Sequence, residues 1–397
     1  MKNIGVFFGS RNTEHDISVI TASMIISGLR GIDLNPIPVY IDKDGKWLVG
    51  EELGSLRHFT DPDDKTLQNK KFAEYYLDLE NSVGRILLRK KGLTGKTIEI
   101  ELAFPALHGA YGEDGTIQGL FEMFDIPYVG CDVPSSAIAM DKAFTKQFYI
   151  ANNFPTTKFV VFNKTDWEND SKTIVKQIQE LHWPVFVKPV HGGSSIGISK
   201  IKDKLSKDLV NKIDVAFYYD DKVLVEEGVE NLMDVTCCVI GNEEPTASKL
   251  QESVFSTDLF DFEEKYLKDG GGQLGNSEKA IQIPARLDDK TTLDIQEMSK
   301  HIYKSLGCKG IARIDYLYDK KAKELYANEI NPLPGTLYHH LWKESGLGLP
   351  ELLQKLINYA VENHTNKKKL SHTFKSSVLT SLNSEKLKSK KLKTDNL

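Results

Sequence analysis

The sequence predicts a multidomain α/β protein that opens with a parallel-sheet domain, and three observations carry that reading. First, 397 residues exceed what one ordinary core organises, so two or three domains are expected. Second, the apolar run IGVFFG (4–9) ends at Gly9 and leads into TEHDISVITASMIISGLR, where Ile17, Ile20, Met24, Ile25 and Leu29 recur at helical spacing, before NPIPVYID (35–42) returns to strand character. Strand, helix, strand in that order is a βαβ unit of a parallel sheet. Third, GIARIDYLYDKKAKELYANEINPLPG (310–335) reads as two strands flanking the turn DKKAK, an antiparallel hairpin of a different character.

Each element follows from local chemistry. Thr13 is placed to cap the first helix, with Asp16 three residues later in a capping-box arrangement. Residues 44–100 are less regular, and DPDDKTLQNKK (61–71) reads as an exposed insertion before IEIELAFPALHG (98–109) resumes as a strand entering a loop. The first domain, 1–130, closes there. SAIAMDKAFTKQFYI (136–150) reads as a helix, TKFVVF (157–162) as a strand and 171–182 as another helix. HGGSSIG (191–197) then joins WPVFVKP to ISKI as the tip of a hairpin; LSKDLVNKIDVAFYYD (205–220) is helical, and KVLVEEGV (222–229) is a strand at a domain junction. These signals place a second domain over 131–226 and a third over 227–361.

Composition excludes several classes. Hydrophobic residues are 40% and charged ones 27%, a soluble globular balance, and no apolar run approaches the ~20 residues that span a bilayer. The amino terminus lacks the apolar core and small-residue cleavage site of a secretory signal, so a cytoplasmic location is expected. Cys131, Cys237, Cys238 and Cys308 form neither a disulfide framework nor a metal cage, and Cys237 and Cys238 should face opposite sides of one strand. The net charge of −5 divides unevenly: residues 363–397 hold nine lysines against Glu385 and Asp395, +7, leaving −12 on the rest. With few large apolar residues, the segment 362–397 reads as a disordered basic tail, solvated rather than bound to nucleic acid.

The candidate chemistry lies in three places. HGGSSIG lacks the Walker pattern, but its glycines can bring backbone N–H groups to an anion, and Ser194 and Ser195 add hydroxyl donors; a plain mobile turn is the alternative. Lys188, flanked by apolar Val185 and Val187, is costly to bury without an anionic partner, and phosphate suits it, as it suits Lys142; a snorkelling surface residue is the alternative for either lysine. In the 310–335 hairpin, alternation puts Arg313 and Asp315 on one face and Ala327, Glu329 and Asn331 on one face of the return strand. Asp315, Glu329 and Asn331 can thus converge as oxygen ligands for Mg²⁺, or Asp315 and Glu329 can form an ion-pair set around Arg313. Glu14, His108 and the Lys265–Tyr266 pair are candidate substrate contacts; Glu14 also suits the helix dipole, and Lys265 and Tyr266 suit an exposed surface.

Taken in order, FGSRNTEHDIS (8–18), PALHGAYGEDGTIQGLFEMFDIPYVG (105–130), MDKAFTK, FVKPVHGGSSIG, GCKGIARIDY and NEINPLPG resemble the motifs of the D-alanine–D-alanine ligase family, within the ATP-grasp superfamily, from about residue 3 to about residue 360. The resemblance implies a three-domain ATP-grasp enzyme with a Rossmann-like amino-terminal domain, gripping ATP between its second and third domains. It implies ATP and Mg²⁺ as cofactors, with Mn²⁺ as a substitute and two ions bound, D-alanine as substrate, a D-alanyl phosphate intermediate and a homodimeric assembly. Position by position, it implies that Glu14 holds the first D-alanine, linked through Ser194 to Tyr266, with His108 nearby. Arg313 and the Gly335 N–H would stabilise the oxyanion. Lys142, Lys188, Ser195 and Lys265 would contact phosphates; Glu226, Glu227 and Val229 the adenine; and Asp234, where the family has Glu, the ribose. Asp315, Glu329 and Asn331 would hold the metal.

The chain departs from the family pattern at several points. Gly9–Ser10 replaces a glycine pair, and Asn12 a common serine. His340 stands near a family serine that binds the second substrate's carboxylate, which opens the acceptor to D-lactate, D-serine or another amine. GGGQLGNSEKA lengthens the loop 265–284, expected to act as a lid. That loop holds no histidine, the mark of D-lactate-forming relatives, so an amine acceptor is expected. A nucleotide-binding homologue without turnover is the reading from another class; the presence of Arg313, Asp315, Glu329 and Asn331 weighs against it.

Overall fold

A computed structural model describes residues 3–60, 73–92, 95–204, 208–254 and 281–378. The 61–71 insertion, Lys265, Tyr266, most of the 265–284 loop and the end of the basic tail lie outside the described residues.

The first sheet is built as the sequence predicts at its centre and differently at its edges. Strand β1 (Asn3–Gly9) leads through helix α1 (His15–Arg30) to β2 (Asn35–Ile41), parallel to β1. Gly9, with φ +93°, ends β1 where an added Cβ would lie 2.2 Å from the Ile41 carbonyl oxygen, so only glycine fits. The helix is not capped by Thr13: it starts at His15, and Glu14 at the cap position makes no side-chain cap bond. Its carboxylate instead accepts from Ser194, a distant loop residue. The irregular stretch after β2 contains four further strands, β3 (Trp47–Val49), β4 (Ala73–Leu77), β5 (Ile86–Lys90) and β6 (Thr97–Ile100), all antiparallel. After one intervening residue, β7 (Leu102–Pro105) pairs with the far side of β1, so the segment read as one strand joins both edges of the sheet.

After the short helices α2 (Arg57–Thr60) and α3 (Thr116–Met123), the segment 136–150 is two helices. Asp141 breaks it with extended backbone, ending α4 (Val133–Met140) and capping α5 (Lys142–Ala151) by accepting from the N–H groups of Ala143 and Phe144. In the central four-stranded sheet, β8 (Phe159–Asn163), β9 (Val185–Pro189), β10 (Ser199–Ile201) and β11 (Lys222–Glu227) lie in the order β10-β9-β11-β8 and are antiparallel throughout. Helix α6 (Lys164–Gln179), which starts earlier than predicted, and α7 (Asp208–Tyr219) cover it. The glycine loop is the β9–β10 connection, a hairpin tip as expected.

The third sheet is formed by β12 (Leu232–Gly241), β13 (Thr246–Ser253), β14 (Ile281–Gln282), β15 (Gly310–Asp319) and β16 (Glu324–Asn331) in the order β14-β13-β12-β15-β16, backed by α8 (Asp289–Leu306). Cys237 and Cys238 are buried in different clusters on its two faces, and all four cysteines are free. One register differs from the prediction. Asp315 pairs with Glu329, but a bulge at Asn328 makes Tyr316 pair with Ala327, so Ala327 turns into the core rather than sharing the face of Glu329 and Asn331. After β16 come α9 (His339–Glu344) and α10 (Leu349–Lys367). Helix α10 carries the packed body past residue 362, where the tail was expected to start: His364 and Lys368 pair with Asp125, and Lys367 with Glu122.

The cores are unequally shared. Val6, Phe104, Cys238, Ile311, Trp342 and Leu353 belong to one apolar cluster, which fuses the first and third sheets through α1, α9 and α10. The central sheet has its own cluster, with Phe162, Ile178, Val185 and Val223.

Candidate active site

Two adjoining clefts lie where the three sheets meet. The larger, about 960 Å³, has Lys188 of β9, Glu226 and Glu227 of β11 on one wall and Asp234, Asp315 and Asn328 of the third sheet on the other. The smaller, about 600 Å³, is lined by Glu14, His108, Glu113, Arg313 and Gly335. Lys142, Gly192, Gly193, Ser194 and Glu329 line both, so the clefts meet at the glycine loop.

The loop is held tightly. Ser194 and Ser195 both take positive φ, 52° and 61°, a costly conformation for serine that concentrates at functional sites. Ser194 Oγ donates to Glu14 Oε1, and the Lys142 ammonium donates to the Gly192 carbonyl at 2.5 Å. Gly193 packs directly on Glu14, where a Cβ would stand 2.4 Å from Oε2. Of the expected Glu14–Ser194–Tyr266 link, the Glu14–Ser194 half is thus present; Tyr266, like Lys265, lies outside the described residues. Ser195 and Val229 line the larger cleft with Lys188.

Lys188 has a protein partner that the sequence did not reveal. Glu226, 1% exposed, pairs with Lys188 and with fully buried Lys146, whose Nζ lies 2.6 Å from Glu226 Oε2 and donates to Thr157 and Thr156 at 2.8 and 3.0 Å. Burial raises the Glu226 pKa, but the two ammoniums outweigh it and hold the carboxyl well below the usual range. The Glu226 carboxylate is therefore committed to two lysines and Thr157, while the residue lines the larger cleft with Glu227 and Val229. Glu227 accepts from the His182 N–H at 2.9 Å. Lys146, one helical turn after Lys142, could have been found as the next position on the same face of α5.

At the expected metal ligands, Asp315 accepts from Arg313 at 2.7–3.0 Å, from Thr236 at 2.8 Å and from Asn331 at 3.0 Å. Glu329 pairs with Lys142 at 3.1 Å. The alternative ion-pair set is thus half present, with Arg313 on Asp315 but not on Glu329. Two carboxylates and an amide from paired strands form an all-oxygen donor set that fits a hard divalent cation, which typically takes one or two protein carboxylates.

In the smaller cleft, Thr21 joins His108 to the turn after β16: its Oγ1 bonds His108 Nε2 at 2.8 Å and accepts from the Thr336 N–H at 3.0 Å. Burial lowers the His108 pKa to about 4, so the ring is neutral at pH 7. Thr336, Leu337 and Tyr338 take three successive left-handed conformations, φ 48°, 53° and 48°, which brings the Tyr338 ring beneath the Arg313 guanidinium at 4.8 Å. Glu113, which carries no sequence signal of its own, is buried beside Glu14 and accepts from the Gly109 N–H at 2.7 Å. Burial, then the Glu14 charge, pushes its carboxyl up to about 8. No periodicity marks it; only the fold brings it to Glu14. His340 does not line either cleft: its Nε2 bonds Gln251 at 2.7 Å, and burial lowers its pKa to about 4.

Comparison with known proteins agrees with this arrangement. The family model described as D-ala D-ala ligase N-terminus matches residues 3–131, and D-ala D-ala ligase C-terminus matches 148–358. A D-alanine–D-alanine ligase of Caldicellulosiruptor bescii is 38% identical over 93% of this chain and 98% of its own. A D-alanine–D-alanine ligase B of Clostridium tetani is 37% identical over 91% and 94%. Among solved structures, the D-alanine-D-alanine ligase from Coxiella burnetii superposes with a TM-score of 0.76 at 26% identity, covering 93% of this chain and 96% of that one. The VanG D-Ala:D-Ser ligase from Enterococcus faecalis gives 0.72 at 33% identity, covering 90% and 99%. Two family models spanning most of the chain, with relatives matched over nearly their whole length, show that this chain belongs to the D-alanine–D-alanine ligase family.

Proposed function

We propose that this protein is an ATP-dependent D-alanine–D-alanine ligase, forming a peptide bond between two D-amino acids through an acyl phosphate for cell-wall precursor synthesis. The observation that carries it is the continuity of the two clefts: Lys142 and Ser194, on the phosphate side, also line the space around Glu14 and Arg313, on the amino-acid side. A carboxylate is a poor acceptor for an amine, and transfer of a phosphoryl group to it supplies a leaving group. The residues divide that work. Lys142, Lys188 and Ser195 bind phosphate oxygens, with Lys188 held in place by Glu226. Asp315, Glu329 and Asn331 hold Mg²⁺ or Mn²⁺ as one or two ions, and a bound cation neutralises charge on the transferred group. Glu14 receives the ammonium of the first D-alanine. Arg313 and the Gly335 N–H stabilise the oxyanion formed on attack by the second amine, a contact whose loss costs about 3 kcal/mol.

In the same reading the enzyme is cytoplasmic, acts on small molecules and assembles as a homodimer. Among the described residues no helix is long and apolar enough to cross a membrane. The test is incubation with ATP, Mg²⁺ and D-alanine, reading ADP release and dipeptide by mass spectrometry. D-Alanyl-D-alanine is expected; no dipeptide from D-alanine alone refutes the reading. The likeness to a D-Ala:D-Ser ligase makes D-serine the competitor to add next, and preferential mixed dipeptide would reassign the acceptor while keeping the chemistry.

A further inference from the structure

His191, the first residue of the glycine loop, is clasped from two sides. Its Nδ1 lies 3.0 Å from both carboxylate oxygens of Asp220, at the end of α7, and its Nε2 lies 3.3 Å from Asp141 Oδ2, at the cap of α5. Its backbone N–H also donates to Asp220 Oδ2 at 2.6 Å. One residue on, Gly192 O takes the Lys142 ammonium. Consecutive residues Asp141 and Lys142 therefore grip consecutive residues His191 and Gly192. His191 lines neither cleft.

We propose that His191 is a positioning residue for the nucleotide's phosphates: its ring, held between Asp141 and Asp220, fixes the stem of the glycine loop so that Ser194, Ser195 and Lys142 are presented to the cleft. This inference rests on the nucleotide-binding reading above. A neutral imidazole has one donor and one acceptor nitrogen, so it would turn a lone pair toward one carboxylate; the imidazolium donates to both. The hydrogen bonds to Asp141 and Asp220 raise the ring's pKa to about 9 against the opposing effect of burial. The charged groups around it, from every element packed there, are Asp141 before α5, Asp220 and Asp221 after α7, and Lys222 at the start of β11, whose Nζ shares Asp141 Oδ2 at 2.9 Å. The clasp is therefore intact at neutral pH and is lost as the pH rises through the ring's pKa.

The donor atoms of His191, Asp220 and Asp221 also lie within 4.8 Å of one another, a spacing a metal could use. That use needs a neutral ring, so it competes with the clasp.

The test uses full-length wild type, His191→Gln and His191→Arg, with ATP binding and KM for ATP measured at about pH 7 and about pH 10. His191→Gln should raise KM for ATP about tenfold at neutral pH, in the range for charge-assisted contacts, with kcat at saturating ATP nearly unchanged. His191→Arg, charged throughout this range, should restore wild-type KM and abolish the rise that the wild type shows at high pH. Wild type that binds ATP while His191→Gln binds it equally at both pH values overturns the inference. So does His191-dependent binding of Zn²⁺ or Mn²⁺ at neutral pH without nucleotide, which assigns the cluster to a metal. Wild type that binds no ATP instead overturns the functional reading, and this inference with it.

Discussion

Replacing Glu226 by Gln tests the buried charge network most directly. The substitution keeps the side chain's shape and removes the anion that faces two ammoniums. Lys146 is 2% exposed and cannot reach water, whereas Lys188, at 13%, borders the cleft. The loss is thus close to that of one stranded buried charge, about 3–5 kcal/mol, rather than twice that. With a urea dependence of ~1–3 kcal/mol per molar, the midpoint should fall by on the order of 1–5 M. Urea unfolding followed by tryptophan fluorescence, in a protein with Trp47 and Trp342 replaced by Phe, leaves Trp167 and Trp183, which pack against the central core, to read the lobe that carries Glu226. The sign with pH is fixed. The folded carboxyl titrates below the unfolded one, so its contribution is complete above the unfolded value, about 4.3, and is lost as pH falls through the folded value. Wild type and variant should therefore differ fully at pH 7 and converge under strong acid. ATP with Mg²⁺ should recover part of the loss by giving Lys188 a new anion. A midpoint shift under about 0.3 M at pH 7, or a difference that persists unchanged in acid, would refute the reasoning.

Two further outcomes follow from the smaller cleft. Glu113 has a folded pKa raised to about 8, so the wild type should lose stability as pH rises from about 4.3 through 8; Glu113→Gln should remove that decline, and melting curves of the variant that retain it would contradict the assignment. Gly193→Ala places a methyl 2.4 Å from Glu14 Oε2 and must displace the Glu14–Ser194 contact; kcat/KM for D-alanine should fall about 100-fold, and steady-state kinetics within twofold of wild type would show the contact to be dispensable.

What the sequence made legible was local or alternating. The β1–α1–β2 unit, the glycine hairpin and the face shared by Arg313, Asp315, Glu329 and Asn331 follow from periods of two and 3.6 residues, and the structure has them. What it concealed depended on partners far along the chain. Asp141 interrupts an apolar helical pattern because its side chain caps the next helix, which periodicity alone does not register. The bulge at Asn328 shifts one residue and moves Ala327 to the opposite face. Strands β3 to β6 are short and separated by polar segments, so their pairing had no continuous signal. Lys146 and Glu226 are 80 positions apart, and each alone reads as a surface charge.

The unequal division of apolar contacts determines which part of the molecule can swing. Prising the first and third sheets apart would wet Val6, Phe104, Cys238, Ile311 and Leu353 together, at about 25 cal/mol for each Å² uncovered. The middle sheet is sealed by its own interior and meets the others through α5 and polar bonds such as Lys142 to Gly192 and Ser194 to Glu14. The central sheet is therefore the one that shares no large apolar cluster with the first sheet. A covalent tie between the first and third sheets should leave turnover untouched, whereas one from the glycine loop to α1 should stop product escaping.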